Sequence, residues 1–169
     1  DAPSGLFFRE NLADGQRRVY YYRRGSAASR LCPEDLKPEW FQGTRVLHLT
    51  GITPALSATC EAACHRAVEL ARQAGALISF DPNYRPKLWG KEAARAALLP
   101  LMRQADILLM GHEDAEAILG AGDVDQALRI GADLGASQVV LKRAEQGASA
   151  LVNGKRFDVP VYPAAQVVD

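Results

Sequence analysis

The sequence has 169 residues and balances 20 lysines and arginines against 20 aspartates and glutamates, so its formal net charge is 0. This balance argues against a nucleic-acid-binding protein, because such proteins usually carry a basic excess. No apolar run is long enough to span a bilayer, and no basic start followed by an apolar stretch marks a secretory signal. The length is sufficient for one domain with a sizeable hydrophobic core.

The cysteines and histidines do not form a recognisable site in the sequence. The 3 cysteines lack the number and spacing of a disulfide framework. Cys60 and Cys64 lie on the apolar face of a helical pattern, which predicts two small core residues. His48, His65 and His112 are far apart and no metal-site spacing is present, so no metal ligands are predicted. We expect a cytoplasmic protein with reduced thiols.

Two β-prone runs near the amino terminus predict a β-hairpin. Leu6–Arg9 and Val19–Arg23 are rich in aromatic and branched residues, and Asn11–Gly15 between them has the composition of a turn. The aromatic side chains exceed what a two-stranded ribbon needs for itself, so we expect one face of the hairpin to cover another part of the protein.

From residue 45 onward, short apolar strands alternate with helical patterns. The predicted strands are Val46–Leu49, Leu77–Phe80, Ile107–Met110 and Gln138–Lys142. The predicted helices are a Ser57-capped helix reaching about Ala74, then Lys91–Arg103, Glu113–Leu119 and Val124–Leu134. This succession predicts an α/β fold in which a mostly parallel sheet is flanked by helices, as in Rossmann-like proteins.

Local signals add detail near the carboxyl end of this pattern. Asp123 and Gln126 have the spacing of a capping box at the start of the last helix. Two β-prone runs, Ser149–Val152 and Arg156–Val159, flank the pair Asn153-Gly154. An Asn-Gly pair between such runs predicts an antiparallel hairpin with a tight turn.

The segment Ser79–Trp89, SFDPNYRPKLW, begins in a buried strand and continues into a turn. Pro82 cannot donate to a strand ladder, and its neighbours favour turns, so the strand ends here. Asp81, Asn83 and Arg85 therefore lie just past a strand end, at the edge where open α/β sheets bind ligands. The carboxylate and amide suit a metal, water or phosphate, and the guanidinium suits a carboxylate or phosphate. The alternative is a polar turn in which Arg85 caps a neighbouring carbonyl.

Residues Asp81–Trp89 match the D-x-N-x-R-x-x-L-W segment that the ribokinase-like (PfkB) sugar kinases place after a central strand. Gly5–Glu10, Tyr21–Ala27, Leu47–Ser57 and Val140–Gly147 also resemble segments of this family, in the same order, and look most like those of its 2-keto-3-deoxygluconate kinases. Four further segments in the same order make the resemblance to this family specific, and the resemblance covers nearly the whole chain. The resemblance implies a ribokinase-like fold and the use of ATP and Mg²⁺.

The resemblance also implies domains and site residues. Residues 1–30 would form a β lid portion, and residues 31–169 a partial α/β kinase core. Family lids often pair between subunits, which implies a homo-oligomer through the lid. The implied sugar-acid-binding residues are Phe7, Tyr21, Tyr22, Arg23, Ile52 and Arg85, and the implied ATP-binding residues are Asn83, Tyr84, Arg85, Gly111, Lys142, Arg143 and Gly147. Phe7 replaces a tyrosine common in this kinase. Two arginines converging on the substrate suit a 2-keto acid better than a neutral sugar.

Two departures from the family pattern concern the chemistry. The family's Asn-x-x-Glu, which arranges phosphate and magnesium, falls on Gly111–Asp114, where a glycine and a shorter carboxylate stand. The family's D-T-x-G-A-G-D segment holds the anion hole and catalytic base, and the sequence stops at Asp169, at the first residue of that segment. No catalytic residue and no metal ligand is therefore assigned. Gly120–Asp123 spells GAGD without the preceding Asp-Thr, and we expect a helix end followed by an N-cap.

Several functions remain open at this point. The main expectation is a middle portion of a larger kinase, inactive by itself, whose parent converts 2-keto-3-deoxygluconate to its 6-phosphate. Another kinase of the family, acting on 5-dehydro-2-deoxygluconate or fructose, is the alternative among enzymes. A non-catalytic module that binds a sugar acid or mediates oligomerisation is the alternative from a different class.

Overall fold

Two separate sheets contain all the strands of the described residues, which in this computed structural model are 1–12 and 16–163. The first sheet is an antiparallel ribbon of β1, Leu6–Asn11, and β2, Arg17–Tyr22, with Leu6 opposite Tyr22. The predicted hairpin pairing is thereby confirmed. Its predicted turn extends into residues 13–15 and lies outside the described residues.

The second sheet has six strands that follow one another in space in the order of the chain. They are β3, Val46–Thr50; β4, Leu77–Asp81; β5, Ile107–Gly111; β6, Gln138–Lys142; β7, Ala148–Val152; and β8, Lys155–Val159. The first four are parallel, as predicted, and the last two pairings are antiparallel. Asn153 and Gly154 both have positive φ angles, of 49° and 79°, which confirms the predicted Asn-Gly turn.

Helices connect the parallel strands. They are α1, Ala58–Gln73; α2, Lys91–Met102; α3, His112–Asp114, which continues as a π-helical segment Ala115–Leu119; and α4, Val124–Asp133. The Ser57 hydroxyl caps α1 by accepting from the backbone N–H of Cys60 at 3.1 Å. Within residues 1–12 and 16–163, none of the helices has the length and apolar character that crossing a bilayer requires.

The GAGD tetrapeptide joins two helices, as expected. Gly120 ends the π-helical segment with φ 73°, and the Asp123 carboxylate caps α4 by accepting from the Gln126 backbone N–H at 2.7 Å. The predicted reciprocal bond of the capping box is wrong, because the Gln126 side chain accepts from the backbone N–H of Gly122 instead. This tetrapeptide therefore ends one helix and caps the next, as its local sequence predicts.

One face of the large sheet carries the hydrophobic core. The helix α1 packs against β3 and β4, and α4 packs against β6 and β7. The completely buried apolar strand residues on this face are Ile78, Phe80, Leu108, Met110, Val139 and Leu141. The predicted core positions Cys60 and Cys64 are also buried, and burial raises the pKa of Cys64 to about 12. Because strand side chains alternate, Val46 and Leu77 lie on the opposite face, where they are 45% and 44% exposed.

Candidate active site

The four parallel strands end in Thr50, Asp81, Gly111 and Lys142, which brings these residues to one edge of the sheet. The Lys142 ammonium on β6 reaches over the end of β5 and pairs with Asp81 Oδ2 on β4 at 2.6 Å. The other carboxylate oxygen of Asp81 accepts from the backbone N–H of Asn83 at 3.1 Å. Both oxygens of Asp81 therefore have protein partners, and they fix the start of the turn relative to β6.

The loops that follow β3 and β4 are in direct contact. The Gly51 backbone N–H donates to the Asp81 carbonyl at 2.8 Å, and a Cβ at Gly51 would lie 2.0 Å from the carbonyl oxygen of Pro82. The side-chain amide of Asn83, whose φ is 41°, donates to the Thr50 hydroxyl at 3.4 Å. Only glycine permits this approach of two backbones, so Gly51 helps to set the position of the turn.

Asp114 fixes the other side of the turn. Its carboxylate accepts from the backbone N–H of Tyr84 at 2.7 Å and from that of Gly111 at 2.8 Å, and the residue is only 9% exposed. The sequence analysis interprets Asp114 only as a shorter replacement for the family's glutamate and does not predict this structural role. An acidic residue three positions into a helix often bonds back to the N-cap N–H, and that signal was available in the sequence.

The described residues contain no group of three or more histidine, cysteine, aspartate and glutamate side chains that could hold a metal ion. Asp81 and Asp114 lie at the sheet edge, but each has both carboxylate oxygens occupied by protein donors. The structure thus shows both carboxylates engaged in fixing the turn and the strand ends.

A first cavity, which we call the lid cavity, lies between the β1–β2 ribbon and the turn and has a volume of about 590 Å³. Its lining residues are Val19, Tyr20, Tyr21, Tyr22, Arg23, Arg24, Ala55, Leu56, Lys87 and Leu88. Three of these side chains are cationic and none is acidic. The Arg23 guanidinium carbon lies 4.2 Å from the centroid of the Tyr21 ring, which fixes the cation over the aromatic face.

The Arg23 side chain also has spare capacity to donate. Its Nε atom is buried and finds no hydrogen-bond partner within residues 1–12 and 16–163. Buried donors are nearly always paired, so this unpaired donor, on a side chain that lines the cavity, is a candidate partner for a ligand acceptor. A carboxylate, which presents two acceptor oxygens, matches this donor and the cationic lining.

The sequence-predicted sugar-acid residues divide into two groups. Tyr21, Tyr22 and Arg23 line the lid cavity. Phe7, Ile52 and Arg85 are absent from its lining: the ring of Phe7 is 64% exposed and packs against Tyr21, and the Ile52 loop contributes Ala55 and Leu56 instead. The lining residues that the sequence analysis did not predict are Val19, Tyr20, Arg24, Ala55, Leu56, Lys87 and Leu88. For Lys87, the available signal in the sequence was its place beside Arg85 in the basic segment after β4.

A second cavity, which we call the edge cavity, has a volume of about 680 Å³ and lies at the strand ends. Its lining includes six of the seven predicted ATP residues, namely Asn83, Tyr84, Arg85, Gly111, Lys142 and Arg143. The remaining lining residues, which were not predicted, are His112, Glu113, Asp114, Val124, Ala144 and Gln146. Gly147 is absent from the lining and instead closes the adjoining turn, where its backbone carbonyl accepts from the Arg143 N–H at 2.8 Å.

The segment after β4 forms a wall of both cavities. Asn83, Tyr84 and Arg85 line the edge cavity, whereas Lys87 and Leu88 line the lid cavity. The structure therefore places Arg85 with the predicted ATP residues and does not bring it into the lid cavity with Arg23. Two cavities therefore share one wall at the carboxyl edge of the sheet; the first is lined by three cations, and the second by both cations and carboxylates.

A mostly parallel sheet with ligand cavities at its carboxyl edge and a separate β-ribbon beside them places this protein in the class of ribokinase-like α/β folds. The sequence profile of the pfkB family carbohydrate kinases matches residues 1–169. The chain belongs to this family.

Individual relatives agree with this assignment. A 2-dehydro-3-deoxygluconokinase from Thermoproteus tenax is 36% identical over 160 residues, covering 92% of this chain and 48% of the relative. The enzyme of the same name from Bacillus subtilis is 35% identical, covering 86% of this chain and 45% of the relative. Fructokinase-1 from Zea mays is 36% identical over 125 residues, covering 73% of this chain and 38% of the relative. The chain thus spans about half the length, or less, of these curated relatives.

Solved structures show the same fold. A PfkB protein from Polaromonas sp. JS666 superposes with a TM-score of 0.89 at 36% identity, covering 96% of this chain and 55% of that protein. A 2-dehydro-3-deoxygluconokinase from Thermotoga maritima superposes with a TM-score of 0.80 at 27% identity, covering 93% of this chain and 55% of that protein. The predicted ribokinase-like α/β fold is confirmed, and the chain again corresponds to about half of each neighbour.

Proposed function

We propose that the complete protein transfers the γ-phosphoryl group of ATP to the primary hydroxyl of 2-keto-3-deoxygluconate. The observation that carries this proposal is the composition of the lid cavity, which is lined by Arg23, Arg24 and Lys87 and by no acidic side chain among the described residues. Three cationic side chains contribute little to the binding energy of a neutral sugar. A sugar acid gains charge-assisted hydrogen bonds, which are roughly twice as strong as neutral ones.

In this proposal the residues of the lid cavity bind different parts of the sugar acid. Arg23, held against the Tyr21 ring and with a free Nε donor, binds the carboxylate from the ribbon side. Lys87 adds positive charge from the opposite wall. The aromatic ring of Tyr21, which carries the Arg23 guanidinium, packs against the carbon chain of the substrate and excludes water.

The edge cavity takes the nucleotide in this proposal. Arg85, Lys142 and Arg143 place positive charge where the phosphates of ATP would lie. The shared wall then brings the phosphate end of the nucleotide towards the lid cavity and its acceptor hydroxyl. Mg²⁺ bound to the phosphates would neutralise further charge during transfer, and we assign it no ligand here. We likewise assign no general base within this chain.

The similar proteins support a sugar substrate of this kind. Two curated relatives are 2-dehydro-3-deoxygluconokinases, and 2-dehydro-3-deoxygluconate is another name for 2-keto-3-deoxygluconate. A fructokinase of equal identity favours fructose as a second candidate substrate. The cationic lining of the lid cavity argues against it, because fructose carries no charge.

The test is a spectrophotometric ADP-release assay on the complete gene product, with 2-keto-3-deoxygluconate, 5-dehydro-2-deoxygluconate and fructose compared at saturating MgATP. Each charge-assisted bond contributes about 1.5–3 kcal/mol, so we expect kcat/KM for the first acid to exceed that for fructose by about a hundredfold or more. Equal or higher kcat/KM for fructose would reject the sugar-acid assignment. Absence of ADP release with every sugar tested would reject the kinase function itself.

A further inference from the structure

A chain of ion pairs leads from α4, through the last hairpin, to the wall of the edge cavity. Arg156 on β8 pairs with Asp125 in the first turn of α4 and donates to both oxygens of Asp158 at 2.9 Å. Asp158 in turn faces the guanidinium of Arg143 at 3.9 Å. Arg143 lines the edge cavity, and none of the other three members of the chain does.

Asp158 is held more firmly than most surface carboxylates. Besides the fork from Arg156, it accepts from the hydroxyl of Ser149, a completely buried residue, at 2.5 Å. These donors, with Arg156 the largest contributor, lower the pKa of Asp158 to about 2. The carboxylate is therefore ionised and fixed in position at any pH at which a kinase would work.

Arg143, by contrast, has few partners of its own. Its guanidinium donates to the Gln146 carbonyl at 3.1 Å, and its Nε is buried without a partner in the described part of the chain. Asp158 is the acidic side chain that pairs with it there. Two groups therefore face the Arg143 guanidinium, the Gln146 carbonyl through a hydrogen bond and the Asp158 carboxylate, which lies outside the cavity, through its charge.

Backbone packing independently ties β8 to the same turn. Residues 143–147 close on themselves through the bond from the Arg143 N–H to the Gly147 carbonyl. Gly147 has φ 83°, and a Cβ there would lie 2.0 Å from the carbonyl oxygen of Val159, at the end of β8. The turn therefore rests directly on the strand that carries Asp158.

We propose that Asp158 is a positioning residue for nucleotide binding, which holds Arg143 in the orientation that meets the phosphates of ATP. This inference rests on the proposed assignment of the edge cavity to the nucleotide. A 3.9 Å ion pair orients a cation without neutralising it fully, so its loss changes affinity moderately and leaves the cavity intact.

The experiment uses the complete gene product and compares D158N, R143Q and their double variant with D125N. D125N is the matched control, because it removes the outer partner of Arg156 and leaves the pair of Asp158 with Arg143. Binding of ADP with Mg²⁺ is measured by titration calorimetry, and KM for ATP and for the sugar acid by the ADP-release assay. Thermal unfolding of every variant is recorded in parallel.

We expect D158N to weaken ADP binding and raise KM for ATP by about three- to tenfold, while KM for the sugar acid stays within twofold. R143Q should do the same, and the double variant should be no worse than R143Q, because both changes break one pair. D125N should stay within twofold of wild type. If D158N does not fold, D158S replaces it with the same expectation, because it also removes the carboxylate that pairs with Arg143.

Independent, multiplying effects of D158N and R143Q, or an unchanged affinity in D158N, would overturn the inference. So would an equal loss in D125N, since that result would indicate general destabilisation. Failure of the wild-type protein to bind ADP would overturn the edge-cavity assignment and this inference together. Wild-type protein that binds nucleotide but prefers another sugar would overturn only the proposed substrate, and the positioning role would still stand on the nucleotide data.

Discussion

The Asp114 carboxylate accepts a hydrogen bond of 2.7 Å from the backbone N–H of Tyr84, thirty positions earlier in the chain. Its second oxygen accepts from the N–H of Gly111, so one buried side chain joins the turn after β4 to the end of β5. The position of the shared wall between the two cavities depends on this link, because Tyr84 lies within that wall.

Replacing Asp114 with alanine should therefore lower the stability of the protein. Both backbone N–H groups would lose a charged acceptor, and hydrogen bonds to charged groups contribute about 1.5–3 kcal/mol each, so we expect a loss of about 3–6 kcal/mol in the free energy of unfolding. Denaturant unfolding of the complete protein measures this. Glu116→Ala, at an exposed position in the following segment, is the control and should change the free energy by less than about 0.5 kcal/mol. Equal losses for the two variants would contradict the structural role of Asp114.

Gly51→Ala should also destabilise the protein, for a steric reason. The added Cβ would meet the Pro82 carbonyl oxygen at 2.0 Å, and a backbone atom cannot move aside as a flexible side chain can. Overpacking of this kind costs about 1–3 kcal/mol, which corresponds to a fall of several degrees in Tm. The control is Gly122→Ala, where the nearest atom to the new Cβ is a Gln126 oxygen at 3.6 Å. A Tm for Gly51→Ala equal to that of the control would show that the two loops separate readily.

The sequence allows much of the fold to be predicted, because the relevant signals are local and repeated. Apolar strands of four to six residues separated by helical patterns specify a parallel βαβ succession, and the Asn153-Gly154 pair specifies a turn. The helix end at Gly120 and the N-cap at Asp123 also follow from residue type. The π-helical course of Ala115–Leu119 leaves no such signal and was not predicted.

The candidate site is only partly predictable, because loop paths decide which cavity a side chain enters. The match to the family motif assigns Arg85 to both the sugar acid and ATP. In the structure Arg85 lines the edge cavity, whereas Lys87, two residues later, lines the lid cavity. No pattern of residue types determines at which residue this segment leaves the edge cavity and begins to line the lid cavity. The partners of Asp158 and Asp114 likewise come from distant segments and depend on tertiary structure.

The β1–β2 ribbon carries an aromatic face that suits association of two copies. By strand register, Leu6, Phe8, Tyr20 and Tyr22 share one face, and Leu6, Phe8 and Tyr22 are each about 60% exposed. An exposed apolar face of this kind favours association, so we expect the complete protein to be a dimer at micromolar concentration, and Phe8→Glu to shift it towards monomer.

Light scattering coupled to size-exclusion chromatography measures the mass of each variant. Phe157→Glu, which alters a 43% exposed ring on β8, is the control and should leave the dimer unchanged. A wild-type monomer at micromolar concentration would count against the ribbon as an interface, as would a dimer that survives Phe8→Glu.

Arg85 provides a test of the boundary between the cavities. Because it lies in the edge cavity with Lys142 and Arg143, Arg85→Ala should raise KM for ATP by about tenfold, the equivalent of 1.4 kcal/mol. The ratio of kcat/KM for the sugar acid to that for fructose should change by less than about threefold. A fall of tenfold or more in that ratio, with KM for ATP unchanged, would instead assign Arg85 to the substrate carboxylate, as the family motif implies.

The most direct test of the proposed substrate is the effect of Arg23→Ala on the choice between an acid and a neutral sugar. Arg23 lines the lid cavity, and its unpaired Nε is the buried donor there that a carboxylate would satisfy. Arg18→Ala is the matched control, because Arg18 lies on the same strand and is absent from the cavity lining. The measurement is kcat/KM for 2-keto-3-deoxygluconate and for fructose in the complete protein.

Loss of one charge-assisted bond predicts a fall of about ten- to a hundredfold in kcat/KM for the acid, little change for fructose, and no change in either value for Arg18→Ala. If Arg23→Ala reduced kcat/KM for the acid and for fructose by the same factor, the lid cavity would not distinguish the two by charge, and the sugar-acid assignment would be wrong.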